Sequence, residues 1–259
     1  GGTSICFMID GAHVLTPGVL RYGMAGLRTY EPAVVGTQLW YVGPGQQGDA
    51  MLDGYDQDFE DRLFDEVSWP VDGYRLFDIG QFVGDRDWFD GLWESNCFFV
   101  PRELAAQIGG FDETFSVAGG GYTNLDLYER FTATPGVSVA TILGEGSFHQ
   151  IHGGTTTNQA SIDERRRRIT SYAEDYAEMR GRNFRGAHKT MHYVGTMFHE
   201  ACRTKPRRRT AAHIFREGVP GDPDGMPETS SPVPEDLAVE FTDAYWRSLR
   251  WQSSTWLGH

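Results

Sequence analysis

Two groups of side chains in this sequence are of types that do chemistry. Asp10 closes the apolar run Ser4 to Ile9, and His13 follows it three residues on. Far downstream, His149 and His152 stand three apart in the glycine-rich run GEGSFHQIHGGTTTN. Carboxylate oxygens and neutral imidazole nitrogens both ligate divalent cations. A single histidine is usually structural. Two after a strand, with an acid and a third histidine upstream, make a candidate ligand set in which His149 and His152 are alternatives. The backbone N–H groups of Gly153 and Gly154, with the hydroxyls of Thr155 to Thr157, suit phosphate oxygens. Glu94 is a carboxylate suited to hydroxyl recognition, and it follows a stretch of interleaved aromatics and acids, Tyr74 to Trp93. Rings of that kind stack on sugar C–H faces; the plainer reading is loop packing. The plainer reading of Asp10 is a hydrogen bond to ribose or backbone, and of His13 a polar residue at a helix entry.

These residues need strands and helices to place them. Ser4 to Ile9 reads as a buried strand that delivers Asp10 at its C-terminal end, where open α/β sheets bind ligands. Thr16 and Pro17 are a cap and a first position for a helix running toward Leu27. Ala33 to Val42 reads as a strand beside the first. Gly43 to Gly54 is turn-rich. Asp56 to Trp69 has Phe59, Leu63 and Phe64 at helical spacing. Cys97 to Val100 reads as a buried strand, and Arg102 to Ile108 as a short helix stopped by Gly109 and Gly110. Val137 to Leu143 is a last strand, leading into a loop that holds both downstream histidines. Ser161 and Glu164 form a capping box for a helix ending at Gly181. Ile162, Ile169, Tyr172, Tyr176 and Met179 share one face of it, so Arg165 to Arg168 are left to solvent or phosphate. His188 and His192 read as packing residues, and a second amphipathic segment spans Lys189 to Cys202. Gly218 to Pro234 has linker composition, and Glu235 to Leu249 reads as a final helix.

The central stretch, WESNCFFVPRELAAQIGGFDETFSVAGGGYTNLDLYERF (Trp93 to Phe131), gives the strongest functional signal. Its order of strand, helix, G-G-F-D-E, glycine loop and N-L-D-L-x-x-R resembles the acceptor side of nucleotide-sugar glycosyltransferases of the GT-A fold. The resemblance implies an α/β, Rossmann-like domain over residues 1–158 that lacks part of the family's N-terminal nucleotide-binding half. A helical extension (159–217), a linker (218–234) and a C-terminal helix and tail (235–259) follow. It implies that Asp10 is the first acid of a D-x-D metal motif whose second position is Ala12, with His13 as a neighbouring ligand. His149 or His152 would complete the shell around Mn²⁺ or Mg²⁺, which neutralises the diphosphate of a nucleotide-diphospho-sugar donor. Asp10, Arg130, Gly153 and Gly154 would contact that donor, and Glu94, Asn124 and Asp126 would face the sugar and a carbohydrate or small-molecule acceptor. An amide cannot take a proton from a hydroxyl. Asn124, at the family's base position, therefore points to a retaining reaction, with Glu94 as nucleophile or charge stabiliser. The rival expectation is a glycosyltransferase-like module that binds or scaffolds without catalysis, since Ala12 and Asn124 both stand at acid positions. A third is a metal-dependent hydrolase using the same histidines.

Composition sets outer bounds. A net charge of −13 argues against general nucleic-acid binding. Residues 162–216, however, carry 14 Arg/Lys against 6 Asp/Glu, which suits an anionic acceptor or a partner domain. No apolar run approaches the roughly 18 residues of a membrane span. Cys6, Cys97 and Cys202 have no C-x-x-C spacing, so a reducing, cytoplasmic setting is expected. The tail RWQSSTWLGH resembles the join in bacterial proteins that fuse a glycosyltransferase to a methyltransferase-like or cephalosporin-hydroxylase-like module, which implies further domains of a fused or split protein.

Overall fold

The apolar runs pair into one mixed sheet, seven-stranded among the described residues. The computed structural model describes residues 2–9, 12–82, 88–89, 91–92, 94–117, 119–154, 161–187, 189 and 191–197. In chain order these form β1 (Ser4–Met8), β2 (His13–Leu15), α1 (Val19–Thr29), β3 (Ala33–Val42), α2 (Gln47–Leu52), α3 (Gln57–Glu66), α4 (Leu76–Ile79), β4 (Gly80–Phe82), β5 (Cys97–Pro101), α5 (Arg102–Ile108), α6 (Thr123–Ala133), β6 (Ser138–His149), α7 (Ile162–Arg180) and β7 (Met191–Gly195). The strand order is β1-β5-β3-β6-β2, with β4 also on β3 and β7 also on β6. β3, β6 and β7 are parallel, and β5 runs antiparallel to both β1 and β3. The C-terminal ends of β1, β3 and β6 therefore share one edge of the sheet.

Alternation along β3 sends its two faces into two cores. Val35, with Phe99, Ala140 and Ile142, packs under Val19 and Leu27 of α1. Val34, with Phe98 and Val100, packs against Leu104 of α5 and Leu127 and Phe131 of α6. Farther along, Trp40 and Phe148 join Phe59, Leu63 and Phe77 beneath α3 and α4. The protein is thus an α/β fold with helices on both faces of its sheet.

Helix starts and stops follow their caps. Asp56 accepts from the Phe59 N–H at 2.9 Å, Ser161 accepts from the Glu164 N–H at 3.2 Å, and Gly109 and Gly181 close α5 and α7 in left-handed geometry.

Four expectations are corrected. β1 is a half-exposed edge strand rather than a buried one, because the fully apolar β5 takes the place between it and β3. The turn-rich stretch after β3 holds a helix, α2, whose entry is capped by the Gln46 side chain on the Asp49 N–H at 3.2 Å. β6 does not stop at Leu143. It runs to His149 by bulging at Leu143, Gly144 and Glu145, between the pairs Thr37–Ile142 and Gln38–Gly146. Gly144 sits there at φ +74°, and a β-carbon would meet the Thr196 carbonyl. The amphipathic segment expected from Lys189 contains a strand, β7, alongside β6. Its His192 packs face to face on Tyr30, ring centroids 4.6 Å apart. His188, the linker over 218–234 and the final helix lie outside the described residues.

Candidate functional site

Three strands bring a row of side chains to the shared edge. His149 at the end of β6 is in register with Tyr41 of β3 on one side and His13 of β2 on the other. Cross-strand partners project to the same face, so the rings touch: His13 and His149 centroids are 5.1 Å apart, Tyr41 and His149 5.6 Å. His152, in the turn after β6, completes the group with its Nε2 3.1 Å from the His149 Nε2. The sequence expectation placed both downstream histidines in a loop. His149 is instead held by strand register, and only His152 is on the loop.

The proton positions follow from the neighbours. Gln47, fully buried at the start of α2, points its Nε2 to Glu60 Oε2 at 3.4 Å and its Oε1 to His149 Nδ1 at 2.6 Å. Glu60 Oε2 accepts from the amide N–H and so fixes its orientation, whereby His149 Nδ1 donates to Gln47 Oε1 and His149 Nε2 carries a lone pair. His152 then donates from its Nε2 to that lone pair. His13 Nδ1 lies 2.7 Å from the Ser147 hydroxyl, while its Nε2 is buried with no hydrogen-bond partner among the described residues. Burial and then the neighbouring imidazoles push His13 down to about 3, and burial and then His152 push His149 down to about 4. Both are neutral, lone-pair-bearing rings at neutral pH.

Glu60, Gln47 and Ser147 were not singled out in the sequence, yet they build the site. Glu60 also accepts from the Ile151 N–H at 2.8 Å and the Tyr55 hydroxyl at 3.1 Å, so it ties α3 to the loop carrying His152. Glu145, thrown out by the bulge, accepts from the Gly18 N–H at 2.9 Å, Thr16 Oγ1 at 2.6 Å and the Tyr74 hydroxyl at 2.9 Å. It caps α1 in place of Thr16, whose hydroxyl donates to it instead; a carboxylate suits the positive helix end. Arg165 of α7 pairs with Asp49 of α2 at 2.6 Å. Gly48 permits that approach, since a β-carbon would lie 2.9 Å from the Arg165 Nε.

The other sequence candidates divide. Asp10 and Thr155 to Thr157 lie outside the described residues. Glu94 is half-buried and within electrostatic reach of Tyr41 and of Tyr122, the residue that leads into α6. Asn124, in the first turn of α6, is half-buried. Gly153 turns the loop just past His152 at φ +75°, with Gly154 next to it. Asp126 and Arg130 are placed differently. Asp126 is 1% exposed, with Oδ2 on Arg130 Nε at 2.8 Å and Oδ1 on Arg180 Nε at 2.6 Å. Arg130 also donates to the Ile108 and Gly110 carbonyls at 3.1 and 2.6 Å. The pair fastens α6 to the end of α5 and to α7. The expected sugar wall also resolves largely into packing, with Phe77 and Trp88 buried around Trp40 and Phe82 stacked on it.

A cation fits part of this group. Donors about 2.1 Å from one ion and 3.1 Å from each other subtend nearly a right angle, and 3.1 Å is the separation of the His149 and His152 Nε2 atoms; His152 serves as such a donor once its proton moves from Nε2 to Nδ1. The His13 Nε2, buried without a hydrogen-bond partner among the described residues, is a candidate for a further donor. Among the described residues, no three His, Cys, Asp or Glu side chains are yet gathered closely enough to hold an ion. Imidazole donors suit transition-metal ions better than magnesium. Gln47→Leu, which frees the His149 tautomer, should weaken Mn²⁺ binding about 10–100-fold; calorimetric titration at constant far-ultraviolet dichroism checks it. No protein-family model, curated protein or solved structure matches the chain.

Proposed function

We propose that this chain is a GT-A-type glycosyltransferase module that moves a sugar from a nucleotide-diphospho-sugar to an acceptor hydroxyl with retention. The observation that carries the reading is the histidine group at the C-terminal edge of a mixed α/β sheet, the edge where such sheets bind ligands. His149, His152 and His13, with Asp10, would hold Mn²⁺, which when bound supplies charge neutralisation for a leaving diphosphate. Gln47 and Glu60 keep the His149 ring in its ligating tautomer. The N–H groups beside Gly153 lie next to the same rings and suit phosphate oxygens. Glu94, within electrostatic reach of Tyr41 and of Tyr122, stabilises positive charge that develops on the sugar ring. The half-buried Asn124 orients the acceptor hydroxyl, and the proton that hydroxyl loses passes to an oxygen of the departing diphosphate, since an amide cannot take it.

Thermal unfolding with Mn²⁺ and a panel of UDP- and GDP-sugars tests binding, and product analysis with acceptor tests transfer. At a nucleotide sugar concentration of 100 Kd, stabilisation should reach about 2.7 kcal/mol and require Mn²⁺. A His149→Ala/His152→Ala variant should lose that stabilisation and at least about 100-fold in turnover. Nucleotide-sugar effects that ignore metal, or an active double variant, would sink the reading. The non-catalytic binding module remains the second reading, favoured by the engagement of both Asp126 oxygens and the whole Arg130 guanidinium in ion pairs and carbonyl contacts. Metal-dependent binding without turnover would select it.

A further inference from the structure

A hollow of about 470 Å³ lies between α7 and the loop that leads into α6, lined by Val117, Glu164, Arg167, Arg168, Ser171 and Tyr172. Its chemistry is specific. Arg167 and Arg168 make no ion pair among the described residues, whereas Arg165 and Arg166 on the same helix are paired with Asp49 and Asp163. Two unpaired guanidinium groups facing one hollow form a fork for a carboxylate or phosphate. The Ser171 hydroxyl and the Glu164 carboxylate add partners for sugar hydroxyls, and Tyr172 and Val117 add apolar wall.

The hollow is rigidly built and tied to the histidine site. Arg180 pairs with Asp126 and Asp112, and the Tyr176 hydroxyl donates to Glu129, so α7 is clamped to α6. Arg165 runs from the same first turns of α7 to Asp49, two residues from Gln47. From the hollow's wall at Val117, the chain passes through Gly119, Gly120 and Gly121, all at positive φ, to Tyr122, which is within electrostatic reach of Glu94. One wall is thus continuous with the segment that opens the α6 side of the site.

We propose that this hollow is the acceptor subsite and that it takes a carbohydrate carrying an anionic group, a carboxylate or a phosphate. The assignment rests on the glycosyltransferase reading for its role, while the binding itself is testable without nucleotide or metal. Calorimetric titration of the full chain with glucose 6-phosphate, glucuronate, glucose and inorganic phosphate distinguishes the sources of the anion. Either anionic sugar should bind at least about tenfold more tightly than glucose or phosphate alone. Arg167→Gln/Arg168→Gln, which keeps good helix formers at both positions, should weaken that binding about 10–100-fold. It should leave Mn²⁺ and nucleotide-sugar stabilisation unchanged. Anionic sugars that bind no better than glucose, or binding that survives the double substitution, would overturn the assignment. Intact binding here with no transfer activity would fail only the catalytic reading.

Discussion

An Asp126→Asn variant is expected to lose about 3–5 kcal/mol of stability, the cost of breaking a buried charge pair from one side. The side chain is 1% exposed and serves two guanidinium groups, Arg130 at 2.8 Å and Arg180 at 2.6 Å. An amide leaves one arginine a neutral acceptor and turns its own N–H donors toward the other. Arg180 would be left with Asp112 at 2.7 Å, and Arg130 with the carbonyls at the end of α5. Four segments meet at this carboxylate: the end of α5, the G-G-F-D-E turn, α6 and α7. Urea unfolding followed by dichroism measures the loss. If the variant unfolded like the parent while turnover collapsed, Asp126 would be a group of the reaction rather than of the framework.

The second large effect concerns Glu60 and pH. Burial pushes its carboxyl up to about 7, against hydrogen bonds from the Ile151 N–H, the Tyr55 hydroxyl and the Gln47 amide; nearby Asp61 pushes in the same direction as burial. The folded value lies above the ordinary value of 4.5, so the folded state holds the proton more tightly than the unfolded chain. The resulting stabilisation is complete below about pH 4.5 and is lost as pH rises through about 7, an effect of about 3 kcal/mol. Glu60→Gln keeps an oxygen for Ile151 and removes the proton from the balance. The stability of Glu60→Gln relative to the parent should therefore grow between pH 5 and pH 8 by up to about 3 kcal/mol. Parallel urea-unfolding profiles for the two proteins across that range would refute it.

What the sequence revealed, and what it hid, follows the range of the interactions involved. Caps act within a turn, so Ser161, Gly109 and Gly181 could be read directly. Thr16 could not, because the group that caps α1 is Glu145, brought from the far side of the chain by a bulge. His13, His149 and His152 announced themselves by type. Their supports did not, because Gln47, Glu60 and Ser147 acquire roles only once β6 is in register and α2 is in place. Asp126 and Arg130 show the opposite hazard. Their spacing suits a family motif and equally an i, i+4 ion pair, and the deciding partner, Arg180, is remote in sequence.

The bulge in β6 has a further consequence. Between Ile142 opposite Thr37 and Gly146 opposite Gln38, the longer strand holds an odd number of extra residues, Leu143 to Glu145. Because side chains alternate with a period of two, the phase of everything beyond that point depends on this count. One residue more would bring Phe148 to where His149 now stands; one residue fewer would press the imidazole into the place of Phe148, among the aromatics around Trp40 and Phe77. Three residues that touch no ligand thus decide, by their number, which face of the strand's last turn is chemical and which is oily.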